Sequence, residues 1–152
     1  VSLTFDDSQI RAGLERFLQA QLQGIEEGLA QASPVVTDAM QTSPAHGDQS
    51  GASHASYRAY VIGGTHDGSS EAASGYAAAQ SALAGFTGHT GQPLRQDSGV
   101  VLSEGERGVI LTSFTDYQDK LEQSDKAVIG PALQQYHDFF TKSAADGARS
   151  KT

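Results

Sequence analysis

A chain of 152 residues is long enough for one domain with a real core, although its 38% hydrophobic share falls below the globular norm. Its formal net charge of −8 argues against gripping nucleic acid, which takes clustered Lys and Arg. With no cysteine, disulfides and thiolate metal sites are excluded, and no apolar run approaches the ~18 residues of a membrane helix.

"VSLTF" alternates Val1, Leu3 and Phe5 and predicts a short strand. "VSLTFDDSQIR" has no basic start followed by an apolar stretch, so no signal peptide is expected. A long helix follows. Ile10, Leu14, Phe17, Leu18, Leu22, Ile25 and Leu29 recur at helical spacing, and Asp7 or Ser8 can cap its start. Ala32, Val36, Ala39 and Met40 continue the stripe beyond Pro34. Either the helix kinks at Pro34, or Ser33 caps a second helix with Pro34 in its first position.

"SPAHGDQSGASHAS" breaks the pattern with Pro, Gly and Ser. "SYRAYVIGG" predicts a strand, with Tyr57, Ala59 and Val61 on one face and Arg58, Tyr60 and Ile62 on the other. Residues 63–98 form a long Gly/Ser/Ala/Thr-rich excursion, in which "EAASGYAAAQSALAGF" can hold a short helix interrupted by Gly75. "GVVLSEGERGVILTSF" predicts a hairpin, Val100–Ser103 against Val109–Phe114. A short helix over Asp116–Gln123 and a last helix from near Pro131 complete the chain. Residues 145–152 are expected to fray. The fold class is α+β: N- and C-terminal helices on a small, mostly antiparallel sheet, in one domain over residues 1–144. The expected core is Leu14, Phe17, Leu18, Leu22, Ile25, Val109, Leu111, Leu133 and Phe140.

Candidate chemistry is thin. His46, His54, His66 and His89 lie in loops, two of them near Asp, but at no spacing with mechanical meaning for a metal. They are expected to be solvated. Many serines allow a Ser-His-Asp set to be drawn, which means nothing without geometry. "GGTHDG" lacks the Lys and following helix of a phosphate loop. Glu26, Glu27, Asp116, Asp119 and Glu122 read as carboxylates on solvated helix faces. The tyrosines read as core packing with the hydroxyl at the rim. No catalytic residue, cofactor or metal is expected.

Two stretches carry a resemblance. "AMQTSPAHGDQSGASHASYRAY" passes from a helix end through Ser43 and Pro44, then Ser50 and Gly51, into a strand with Arg58. "YQDKLEQSDKAVIGPAL" holds Tyr117, Leu121 and Glu122, then Ile129 and Pro131 at the start of a helix. Together, and in this order, they resemble the neck proteins of long-tailed phages, the head–tail joining or tail-completion family. The resemblance implies a structural virion protein, not an enzyme, assembled in the host cytoplasm. It implies a ring in the neck, of six copies ahead of twelve. A head connector, adaptor or head-closure protein would lie on one side and a tail terminator or tail tube protein on the other. DNA would pass through without specific binding, and no membrane is involved. An acidic lumen suits such a conduit. Residues 63–98 are then expected to be an assembly arm, mobile in the free chain, with Tyr76, Leu83, Phe86 and Leu94 as contacts to neighbouring subunits. Two other classes stay open: a small metal-dependent or Ser-type hydrolase using the loop His and Asp residues, and a general adaptor.

Overall fold

The computed structural model describes residues 7–47, 50–88, 91–96 and 99–151. In chain order the elements are α1 (Ser8–Gln41), α2 (Ala52–Ser56), β1 (Arg58–Ile62), α3 (Ser69–Ala84), β2 (Gly108–Thr112), α4 (Gln118–Glu122) and α5 (Ile129–Ser150). The fold is α+β. The strand expected at Val1–Phe5 lies outside the described residues.

α1 is one helix of 34 residues with Pro34 inside it. Proline removes one N–H and ordinarily costs about 3 kcal/mol in a helix interior. Here Ser33 Oγ donates to the Leu29 carbonyl at 2.8 Å in the turn that Pro34 disturbs. Val36 and Met40, beyond the proline, are buried in the core and anchor the helix on its far side. Of the two alternatives from the sequence, the separate second helix capped by Ser33 is excluded.

β1 and β2 pair antiparallel, with Arg58 opposite Thr112 and Ile62 opposite Gly108. Ala59 and Val61 join Leu29, Ala32, Val36, Met40, Tyr57, Val128, Ala132 and Phe140 in the main core. Tyr60 and Ile62 are buried on the other face. α3 lies on that side, where Gly75 abuts the Phe114 ring and Gly68 abuts the Tyr60 ring. Gly68 has φ +74°, so a side chain there would meet both a left-handed backbone and an aromatic ring.

α1 and α5 cross closely. A methyl at Gly24 or Gly28 would overlap the backbone of Gly147 or Ser143. Residue numbers rise along α1 as they fall along α5, so the helices are antiparallel. The contact carries α5 on through Ser150, across the segment expected to fray.

Three further expectations are corrected. The hairpin is absent: β2 pairs with β1, and Val100–Ser103 forms no strand, Val101 being almost fully exposed. The chain instead returns through a bridge between Pro93 and Thr115. The core lies further along α1 than expected. Phe140 is buried, and Leu22, Ile25, Val109 and Leu111 are half-buried, but Leu14, Phe17, Leu18 and Leu133 are exposed, because α5 reaches only as far as Gly24. The excursion after β1 is not wholly loose chain. It contains the 16-residue helix α3 seated on the sheet, and Gly75 interrupts nothing, because it supplies the close approach to Phe114.

Candidate functional site

Residues 43–58 and 117–131 meet in one buried polar junction. Tyr57 follows α2 and is fully buried, with its ring in the core. Its hydroxyl lies 3.2 Å from His46 Nε2, 3.2 Å from Ser53 Oγ and 3.1 Å from Gln118 Nε2. Ser53 Oγ donates to Gln118 Oε1 at 3.0 Å, and Gln118 Nε2 donates to Glu122 Oε1 at 2.9 Å. With the His46 proton on Nδ1, donated to the Gly47 carbonyl at 2.9 Å, Nε2 is free to accept from Tyr57. His46 also stacks on His54, centroids 4.7 Å apart, and His54 Nε2 reaches the Ser43 carbonyl at 3.1 Å.

Glu122 carries the junction into α5. Its carboxylate accepts from the backbone N–H groups of Val128 and Ile129 at 2.9 Å and of Gly130 at 3.0 Å. These donors at the start of α5 have no helical acceptor of their own, and Glu122 supplies one from outside the helix. Burial pushes its carboxyl up, but the three N–H groups and the Gln118 amide outweigh this and hold the pKa below the ordinary 4.5. Glu122 is therefore a half-buried cap, not the solvated surface carboxylate expected.

The remaining motif residues organise turns around this junction. Ser43 Oγ accepts from Ala45 N–H at 3.3 Å, and Ser50 Oγ from Ala52 N–H at 3.2 Å. Gly51 has φ +76° and starts α2. Arg58 donates to the carbonyls of Ala55 and Tyr57 at 2.7 and 2.8 Å and to Ser74 Oγ at 3.1 Å, tying α2 to α3. Tyr117 precedes α4, and its carbonyl accepts from Leu121 N–H at 3.4 Å. Pro44 and Pro131 are exposed, and Pro131 lies in the first turn of α5.

A second cluster joins α1 to the turn after β1. Glu26 is buried and accepts from Thr65 N–H at 2.8 Å and from Thr65 Oγ1 at 3.1 Å. His66 Nδ1 lies 3.0 Å from Oε1, and Arg107 Nε lies 3.2 Å from Oε2, an ion pair without hydrogen-bond alignment. Burial raises the Glu26 carboxyl, yet His66, Thr65 and Arg107 together hold its pKa below 4.5. This residue too was expected to be solvated.

Ser53, Ser56 and Ser113 are buried, so none can meet a substrate. Among the described residues no three His, Asp or Glu side chains converge as metal ligands. His46 is buried rather than solvated, and His89 lies outside the described residues. Of the four expected partner contacts, Leu94 is exposed, and Tyr76, Leu83 and Phe86 are half-buried. Arg95 covers the Tyr76 ring at 4.5 Å. Sequence reasoning missed Gln118, which no motif flags. Its signal is weak: a lone amide one residue after Tyr117, four before Glu122.

Among known proteins, no family model, no curated protein and no solved structure matches this chain.

Proposed function

We propose that the chain is a structural subunit of a tailed-phage neck, forming a ring between the DNA-filled head and the tail and lining the DNA conduit. The observation that carries the reading is the convergence of the two motif stretches. Residues 43–58 and 117–131 are far apart in sequence, yet Tyr57, Gln118 and Glu122 join them in one network. Of the motif positions Glu122 enters the network itself, and Ser43, Ser50, Gly51, Arg58 and Tyr117 shape the turns around it. Here the junction sets the start of α5 against the end of α1.

The burial of Ser53, Ser56 and Ser113 takes those three hydroxyls out of the hydrolase alternative. A ring subunit needs no pocket, only a stable core with surfaces for its neighbours. Ring copy number follows from the resemblance alone, six ahead of twelve, as do the head-side and tail-side partners.

The test is loss and rescue in the phage that encodes the chain. Without it, filled heads and separate tails should accumulate, and added purified chain should restore infectious particles. Labelled chain should map to the neck in imaged virions. Normal particles formed without the chain would overturn the reading.

A further inference from the structure

"GGTHDG" has no part in the polar junction, yet the fold builds a second cluster on it. Gly63 and His66 close the turn on each other, N–H to carbonyl, at 2.8 and 3.1 Å. Gly63 has φ +102° and Gly64 φ +61°. A side chain at Gly64 would strike the Glu26 carboxylate, and one at Gly63 the Glu106 carbonyl. Glycine therefore lets the turn lie directly against Glu26 of α1 and the segment ahead of β2. Glu26, Gly64, Thr65, His66 and Arg107 line one open cleft.

Two of these side chains carry unspent polar atoms. Glu26 Oε1 accepts from His66 Nδ1, so the ring proton sits on Nδ1 and Nε2 presents a lone pair. The imidazole is 35% exposed, and among the described residues nothing bonds to Nε2. Arg107 keeps only 10% of its side chain open. Its Nε–H has no aligned acceptor, and its one hydrogen bond among the described residues runs from Nη1 to the Glu106 carbonyl at 3.2 Å. A guanidinium buried to this degree ordinarily spends its donors on a well-aligned, bidentate partner. Glu26 is not that partner: Oε2 lies out of line, and Oε1 is shared by Thr65 and His66.

We propose that this cleft binds a phosphate group, with Arg107 donating to its oxygens and His66 Nε2 accepting its O–H, while Glu26 positions both side chains. The pairing of cationic donors with a neutral acceptor selects the ligand. A partly protonated phosphate carries oxyanions and an O–H on one centre, whereas a carboxylate or a sulfate offers acceptors alone. The cation that "GGTHDG" lacks as a phosphate loop comes from Arg107, far along the chain. The start of α3 is not the site, because Asp67 Oδ1 already accepts from Ser69 N–H at 2.9 Å. The proposal stands on this cluster and not on the neck reading.

An NMR titration of the whole chain with inorganic phosphate, at constant ionic strength, tests it. Saturable shifts centred on His66 and Arg107 are expected, with sulfate and acetate weaker by about tenfold or more. A parallel titration with glycerol phosphate separates free phosphate from a phosphate ester, and tighter binding of either supports the site and identifies its source. His66→Ala should weaken phosphate binding about tenfold. Arg107→Lys, which keeps the charge and gives up the planar fork, should weaken it too. Arg95→Gln, which removes an equal charge beside Tyr76, should leave the affinity within about twofold. Thermal unfolding checks that each variant is folded, and the wild-type titration decides where one is not. Absence of shifts at His66 and Arg107 in the wild-type chain would overturn the proposal. So would an equal response to sulfate, or full phosphate affinity in a folded His66→Ala chain.

Discussion

Glu122 has the environment of a helix cap supplied from outside its helix. Three backbone N–H groups of α5 and the Gln118 amide converge on it. Glu122→Ala leaves those donors to water or to nothing, and Gln118 Nε2 loses Glu122 as an acceptor and keeps only the Tyr57 hydroxyl. The expected cost is ~2–3 kcal/mol in chemical unfolding, more than most half-exposed positions give. The pH dependence follows from the lowered carboxyl values of Glu122 and Glu26. A carboxyl that is more acidic in the folded chain stabilises above its unfolded value, near 4.5, and that stability is lost as pH falls through the lower folded value. The urea midpoint should therefore hold at neutral pH and fall on acidification below about pH 4.5. Glu122→Gln should flatten part of that fall. A midpoint with the same acid slope in the variant would show that Glu122 does not contribute to it.

The α1–α5 crossing is set by glycines at the scale of whole helices. In an exposed helix, Gly→Ala ordinarily gains about 1 kcal/mol. At Gly28 the added methyl would overlap the Ser143 carbonyl, a backbone atom that cannot swing aside. Gly28→Ala should therefore destabilise the chain by ~1–3 kcal/mol despite its better propensity. Gly13→Ala, with open space around it, should stabilise the exposed first half of α1 by up to ~1 kcal/mol. Paired measurements of circular dichroism and denaturant midpoint check the two opposite signs. The same crossing explains what was legible in the sequence. The stripe from Ile10 to Met40 reads as one amphipathic helix because periodicity is local. Which half is covered depends on where α5 begins and ends, and no periodicity records that. Val100–Ser103 and Val109–Phe114 both have β-branched strand composition. Only the second pairs, because β1 offers it a partner from fifty residues away. The junction was half legible: the motif positions stood out, but Gln118 and the buried hydroxyl of Tyr57 depend on α4 folding back against α2.

At the scale of the molecule, α3 and the Pro93 bridge belong to the body more than to an appendage. Excising residues 66–96 would remove α3 and the strand-like return at Pro93, uncovering Phe114 and Tyr60. Such a deletion confounds folding with assembly, so it cannot test whether the segment contacts neighbours. Leu94 can. Its backbone N–H is fixed to the Phe114 carbonyl at 2.8 Å, while its side chain is exposed. Exposed Val100 and Val101 follow it in sequence, giving this part of the chain an apolar surface the body does not use. Leu94→Glu should leave the unfolding midpoint within about 0.5 kcal/mol of wild type, as surface changes do. If the chain is the neck subunit proposed above and this segment meets a neighbouring copy, the new carboxylate is buried against an apolar partner without a counter-charge, at a cost large enough to block joining. Filled heads and separate tails should then accumulate with a fully folded variant in the lysate. Infectious particles at the normal rate, from a stably folded Leu94→Glu chain, would remove Leu94 from the contacts of the ring.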